Sequence, residues 1–378
     1  MQLISIFSLS LNNKRLWLTS ILVLAIAVVF WAGSRYPNLS EKATMGGYAQ
    51  VESPLSFDSV LDIQAGDPAY KEVLFTLVNW AVENRKGMVF GLCLGAALLS
   101  LINLLRRRGS NNGWLNALIG MGSGSALGVC VNCAAPVAKG MHSAGARLET
   151  TLAAMFSSPT LNVIVLTMVF SIFPLYLALI KVGLTLLFIL VVIPLLSRTL
   201  FSQVRAGTYL DMACTVEGTA RIPSESWGRA LLGVIAEFGK SLWYLIKTTV
   251  PLMILAGLLG AALVTFLPLD SLLLLEIGLL GALIVTLVGL FLPLPIALDV
   301  VIAASLLSAG LPVFYVSILL LVLGTFSIYP FMIVWQSMSR TVAVALSLAL
   351  VVLAIAGGYL ADYQYEQQLK ALYEFTVE

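Results

Sequence analysis

The chain has 378 residues, of which 60% are hydrophobic and 11% charged, and its formal net charge is +2. Soluble domains carry about 25% charged residues, so this composition predicts an all-α polytopic membrane protein. Basic residues form no run with aromatic ones, which excludes nucleic acid as a partner and leaves the lipid bilayer. The sequence does not indicate an oligomeric state.

The chain begins with a basic pair, Lys14 and Arg15, followed by the apolar run 16–32. A signal peptide has the same outline, but Phe30 and Trp31 stand where a cleavage site needs small residues. The run therefore predicts a retained anchor helix, and the positive-inside rule places the N-terminus in the cytoplasm.

The N-terminal region, 1–87, is completed by a polar segment and a short amphipathic stretch. Its acidic, Gly- and Pro-containing segment 34–71 predicts a periplasmic loop. Residues 73–84 predict a separate interfacial helix. The first transport repeat, 88–197, then starts with a span over 88–105 that ends at three arginines.

The motif CVNC, residues 130–133, interrupts an apolar stretch. The arms 114–129 and 134–145 would be only ~24 and ~18 Å long as helices, too short to cross ~30 Å of hydrocarbon. They predict a re-entrant hairpin with CVNC at its tip. Full spans over 148–173 and 175–196 complete the repeat.

The second half repeats this plan after a basic cytoplasmic linker, 198–247. The second transport repeat, 248–360, is predicted to hold three full spans and a hairpin interrupted by PLPIALD at 293–299, and a periplasmic tail follows over 361–378. The chain then has about seven full spans and two hairpins. The spans of this half are 248–267, 313–335 and 341–360, and the hairpin arms are 272–292 and 300–310.

A shift of 165 positions aligns the two hairpins. Together with the opposite predicted orientations of the halves, it indicates an inverted repeat of the kind found in secondary transporters, whose substrate sites lie at interrupted helices near the midplane. The aligned residues are Ser143-Ala144-Gly145 with Ser308-Ala309-Gly310, Gly124 with Gly289, Thr160 with Thr325, and Asn162 with Ser327.

Cys130 and Cys133, with Asn132 between them, are the candidate substrate and metal ligands. Two thiolates at a CxxC spacing suit a trivalent arsenical, Cu(I), Zn(II) or Hg(II), and a helix N-terminus lowers the pKa of a thiol. The alternative is that they only pack. The four cysteines lie mostly in apolar stretches, so we expect free thiols.

Asp299 is the candidate for proton or ion coupling, because a carboxylate inside the membrane is costly and marks an ion path. Its alternative role is the N-cap of the helix that follows. Lys139 is expected either to pair with Asp299 or to extend toward the cytoplasm, and His142 to contribute to coupling or to lie at the cytoplasmic mouth.

Ser158, Thr160 and Asn162 surround Pro159 within a predicted span. A proline leaves a backbone carbonyl unpaired, so these side chains either satisfy it or face the substrate. The alternative is helix packing through small residues.

No nucleotide-binding loop, HExxH or GxSxG motif occurs in the chain. The sequence therefore predicts a secondary-active permease that is not an enzyme, needs no cofactor and spans the bacterial inner membrane several times.

At these residues the chain resembles the ArsP-type permeases, which include exporters of trivalent organoarsenicals and a branch described as copper/zinc efflux transporters. The likeness covers about 88–360 and rests on CVNCAAPVAKGMHSAG at 130–145, on Ser-Pro-Thr-Leu-Asn at 158–162, and on a weaker second copy. It implies a permease whose Cys130 and Cys133 engage a thiophilic substrate. Here two residues separate the cysteines, where the arsenical exporters have one serine.

Two alternatives remain open. CVNC could cycle between dithiol and disulfide in a membrane thiol-disulfide electron carrier, or the chain could transport an organic or sulfur-containing solute without using its cysteines.

Overall fold

The structure is a computed structural model that describes residues 14–35, 55, 59–64, 66–105, 112–199, 225–266 and 277–377. Within these ranges it is helical and contains no strand. Five helices are long and apolar enough to cross a membrane, and a sixth span results if one bent helix pair is counted. The predicted class, an all-α polytopic membrane protein, is confirmed. Most of the predicted periplasmic loop, the arginine triplet and Cys214 lie outside the described residues.

Fourteen α-helices are described. They are α1 (Lys14–Phe30), α2 (Ala69–Leu105), α3 (Gly113–Leu127), α4 (Val131–Ser143), α5 (Leu148–Thr160), α6 (Val163–Ile172), α7 (Leu175–Leu187), α8 (Ile193–Thr199), α9 (Trp227–Phe266), α10 (Leu279–Phe291), α11 (Leu298–Ser308), α12 (Val313–Val322), α13 (Ile328–Ser337) and α14 (Arg340–Val377). Short π-helical turns follow α1 at Trp31–Arg35 and join α7 to α8 at Phe188–Val192.

Two helices continue through segments that the sequence predicts as separate. Residues 73–84 are not a helix of their own, because α2 runs without interruption for 37 residues. Charged residues such as Glu83 and Lys86 end the apolar run there, but they do not end the helix, since straight-chain charged side chains favour helical backbone. Similarly, α9 begins at Trp227 and is continuous for 40 residues, through the second half of the predicted linker.

Interruptions divide two of the predicted spans. The span predicted over 148–173 bends by 44° between α5 and α6. The span predicted over 313–335 consists of two ten-residue helices, α12 and α13. Gly324 lies between them with a φ of 73°, a left-handed conformation that favours glycine.

The two halves have the same spacing of helices. Leu148 and Val313, Val163 and Ile328, and Leu175 and Arg340 each begin a helix, and the members of each pair are 165 positions apart. The turn after α4 matches the turn after α11: Gly145 and Gly310 have φ values of 84° and 95°. These turns carry the serine-alanine-glycine sequences that the shift aligns.

Small residues let α2 pack closely against α4. Gly87, Gly91 and Gly95 form one stripe on α2, four residues apart. A Cβ atom at Gly91 would overlap the backbone carbonyl of Cys133, and one at Gly95 would lie 2.7 Å from the carbonyl oxygen of Pro136. This spacing of small residues is a recurring device of helix pairs in membranes, and here it holds the CVNC helix against α2.

Candidate functional site

The first interruption lies at CVNC, between α3 and α4. Gly128 ends α3 in a left-handed conformation with a φ of 55°, and Cys130 is the N-cap of α4. The sulfur of Cys130 accepts a hydrogen bond from the backbone N–H of Cys133 at 3.3 Å. The prediction that CVNC interrupts the hydrophobic stretch agrees with these helix bounds, and the second cysteine lies in the first turn of the new helix.

The two cysteines form a disulfide, and their Cα atoms are 5.2 Å apart. The expectation of free thiols is therefore wrong for this pair, because the first turn of a helix brings a CxxC pair within the Cα separation that disulfides need. Cys93 is free. When reduced, Cys130 and Cys133 would be close enough to bind one soft atom.

Ser158 fixes the backbone of this interruption. Its hydroxyl oxygen accepts from the N–H of Val129 at 3.1 Å and donates to the carbonyl of Val129 at 3.3 Å. The hydroxyl of Thr160 donates to the carbonyl of Phe156 at 2.6 Å. Both side chains are buried, and both hydrogen-bond to backbone.

Asn162 satisfies the carbonyl groups around Pro159. Its amide nitrogen donates to the carbonyl oxygens of Ser158 at 2.7 Å and of Pro159 at 3.1 Å. Its amide oxygen accepts from the N–H of Val165 at 3.0 Å and caps α6. These carbonyls are unpaired because α5 ends at Thr160, whereas the carbonyl that Pro159 frees is that of Met155, four residues earlier.

Replacing Asn162 with alanine should lower the free energy of unfolding by about 2–3 kcal/mol, because the variant loses an N-cap and leaves buried carbonyls unpaired. The matched control is Asn112→Ala, which removes an exposed N-cap from α3 and should cost about 1 kcal/mol. Thermal unfolding in detergent measures both. Equal losses in the two variants would contradict the role of Asn162 in pairing the last carbonyls of α5.

Asn132 joins the first interruption to two others. Its amide nitrogen donates to the carbonyl of Leu294, in the PLPIALD segment, at 3.3 Å. Its amide oxygen accepts from the hydroxyl of Ser327, at the start of α13, at 2.8 Å. Asn132 has no exposed surface. The interruptions at CVNC, at PLPIALD and between α12 and α13 therefore meet around this residue.

Asp299 forms a buried ion pair with Lys181 of α7, with Nζ and Oδ2 3.2 Å apart. The predicted pairing of Asp299 with Lys139 is wrong: the Lys139 ammonium lies 5.8 Å from the ring centroid of Tyr244 instead. Sequence reasoning missed Lys181, although a single charge inside the apolar helix Leu175–Leu187 is a signal for a buried partner.

The alternative role of Asp299 as an N-cap is also wrong. The N-cap of α11 is Ala297, which has a φ of 69°, and Asp299 lies in the first turn. There its negative charge is stabilised by the positive end of the helix dipole. The carboxylate also lies beside the interruption between α12 and α13, since a Cβ at Gly324 would be 3.0 Å from its Oδ2.

Lys139 and His142 lie on α4 away from its cysteine end. They follow Cys133 by six and nine residues, or ~9 and ~14 Å along a helix. Both lie toward the end of the helix opposite CVNC, and Lys139 is buried. Lys139 lies beside Tyr244, and His142 lies in the last turn of α4.

Four helices begin at these interruptions: α4, α6, α11 and α13. The N-terminus of a helix carries a partial positive charge that favours anions and thiolates. Among the described residues, no group of three or more His, Cys, Asp or Glu side chains could hold a metal ion. The arrangement therefore offers two sulfur atoms, once reduced, at the positive end of α4.

Long apolar helices, interrupted helices that meet around Asn132, and a buried ion pair between α7 and α11 are features of a multi-pass membrane protein. The family model described as predicted permease, of the ArsP type, matches residues 86–363. The chain belongs to this family. No match was found among the curated proteins or the solved structures.

Proposed function

We propose that the protein is a secondary-active efflux permease of the bacterial inner membrane that binds a thiophilic substrate, a trivalent organoarsenical or a soft metal ion, at reduced Cys130 and Cys133. The observation that carries this proposal is the position of the cysteine pair. Cys130 caps α4, and Asn132, which lies between the two cysteines, hydrogen-bonds to two other helix interruptions. A soft atom held by both thiolates would lie where both halves of the chain meet.

The halves are proposed to form an inverted repeat that gives alternating access to this site. The common spacing of 165 residues supports a repeat, and the positive-inside rule supports opposite orientations. Asp299 is proposed to couple transport to protons by exchanging between a proton and Lys181, its partner in the structure. Lys139 and His142 would then line the cytoplasmic approach to the cysteines.

The disulfide favours a second candidate function, a carrier of reducing equivalents. In that role Cys130 and Cys133 would alternate between dithiol and disulfide and exchange with thiols of soluble partners. Trapping a mixed disulfide between a single-cysteine variant and a thioredoxin-like protein would support the carrier over the permease.

The permease is tested by flux into everted membrane vesicles kept under reducing conditions. Cys130→Ser and Cys133→Ser should each reduce the flux of methylarsenite, arsenite, Cu(I) or Zn(II), whichever the wild type transports, at least about 10-fold, because each removes one of two ligands. Cys93→Ser is the matched control, since this free cysteine lies outside the CVNC motif. Unchanged flux in both CVNC variants would rule out thiol ligation, and a wild type that transports none of the four would leave an organic solute as the substrate.

A further inference from the structure

The chain before residue 86, where the family match begins, contributes side chains to the candidate site. Two of them lie at CVNC. A Cβ at Gly128 would be 3.2 Å from Cζ2 of Trp31, so the indole ring covers the left-handed residue that precedes the cysteines. On α2, Oδ1 of Asn84 lies 3.8 Å from the sulfur of Cys130.

Two more side chains of the N-terminal region, those of Leu55 and Trp80, lie at the PLPIALD interruption, 293–299. Trp80 donates from its indole nitrogen to the carbonyl of Pro293, and its ring packs against Gly257 of α9. Leu55 is fully buried, and a Cβ at Gly260 would meet both Leu55 and Pro293. The N-terminal region therefore contacts the PLPIALD interruption as well as the CVNC interruption, which is nearer in sequence.

Helix α1 is fixed at both ends, which sets the position of Trp31. At its start, Arg15 forms a bidentate ion pair with Glu225, at 2.9 and 2.6 Å, and the hydrogen bond from Arg15 lowers the pKa of the Glu225 carboxyl. At its end, Phe30 stacks on Phe90 of α2, with ring centroids 3.8 Å apart. Trp31 follows directly, and its partly buried ring lies against Gly128.

We propose that Trp31 is a specificity-determining residue that forms one wall of the cysteine site and limits the size of the group that reaches Cys130 and Cys133. The substrate in this inference rests on the proposed function, whereas the position of Trp31 rests on its contact with Gly128. A rigid indole beside the CVNC bend excludes water and leaves little room for a bulky organic substituent. Asn84 is the matching polar residue on α2, positioned to accept a hydrogen bond from the Cys130 thiol in the reduced protein.

The first test measures thiol reactivity and needs no transport. In a background with Cys93→Ser and Cys214→Ser, the protein is reduced and labelled with a membrane-permeant maleimide. Trp31→Ala should label about tenfold faster than its parent, because the closed site no longer has to open for reagent to enter. Trp17→Ala is the control, since Trp17 lies on α1, the helix that precedes Trp31, with 49% of its surface exposed, and this variant should label at the parent rate.

Trp31→Phe and Trp31→Leu keep the test decisive if the alanine variant fails to fold. The Trp31→Phe variant retains an aromatic wall, so its cysteines should be labelled near the parent rate. The cysteines of Trp31→Leu should be labelled faster. Equal labelling of the parent, Trp17→Ala and all folded Trp31 variants would overturn the proposal.

The second test compares two substrates in vesicles. Trp31→Ala should raise the flux ratio of phenylarsenite to methylarsenite, whereas Trp17→Ala should leave it unchanged. Faster labelling of Trp31→Ala in a protein that transports no arsenical or metal would overturn the proposed function but support Trp31 as a wall of the cysteine site. If flux depends on the cysteines, but substituting Trp31 changes neither the labelling rate nor the flux ratio, only the proposed role of Trp31 is overturned.

Discussion

Replacing Lys181 with methionine is expected to lower the free energy of unfolding by about 3–5 kcal/mol, because it leaves Asp299 as an unpaired buried charge. Both side chains are almost fully removed from solvent, with exposures of 3% for Lys181 and 6% for Asp299. Thermal unfolding in detergent, followed by tryptophan fluorescence, measures the loss. A Lys181→Met protein as stable as the wild type would show that the charges do not stabilise one another.

The double variant Lys181→Met/Asp299→Leu separates stability from coupling. Removing both charges should restore most of the lost stability, because an apolar pair of similar volume replaces a buried ion pair at little cost. Although the double variant is stable, its proton-dependent flux should be absent if Asp299 carries the proton. A stable double variant that transports normally would reduce the ion pair to a structural role.

Lys71→Met is the matched control for the single variant. Lys71 forms an ion pair with Asp67 at 2.7 Å, four residues away, and its side chain is 36% exposed. Ion pairs in contact with water contribute little to stability, so this variant should unfold close to the wild type. The comparison isolates the effect of burial from the effect of losing a lysine.

The sequence was sufficient to predict two of the helix interruptions. CVNC and the PLPIALD segment place polar, glycine or proline residues in apolar stretches, and each coincides with a helix boundary. Pro159 was predicted to lie within a continuous span, but α5 ends one residue after it, at Thr160. Apolar length was a poorer guide to continuity. It divided α2 near Glu83 because hydropathy changes there, and it joined α12 to α13 because no charged residue interrupts 313–335.

Partners across the fold could not be predicted from the sequence. Asp299 has two buried lysines available, Lys139 and Lys181, and only the arrangement of α4, α7 and α11 decides between them. The role of Asn132 depends likewise on Leu294 and on α13, which lie far along the chain. Nothing in residues 1–85 indicated that Trp31 would reach Gly128, since side-chain contacts between distant helices leave no periodic pattern.

The second large effect is expected at the stripe of small residues on α2. Gly91→Ala should destabilise the protein by about 1–3 kcal/mol, because its methyl group would overlap the carbonyl of Cys133 and α2 and α4 would have to separate. That shift would move the cysteines and Asn132 together, away from Leu294 and Ser327, the hydrogen-bond partners of Asn132, so flux should fall with stability.

Gly122→Ala is the matched control, and its effect on stability should have the opposite sign. Gly122 also lies within a helix, α3, but a Cβ there would meet nothing within 4 Å. Alanine should therefore stabilise the protein by about 0.4–1 kcal/mol, because it restricts the unfolded chain and favours the helix. Thermal unfolding of the two variants side by side measures the difference. If both substitutions raised the melting temperature, the contact between α2 and the CVNC helix would be looser than the structure shows, and the cysteines would not be held in place by that packing.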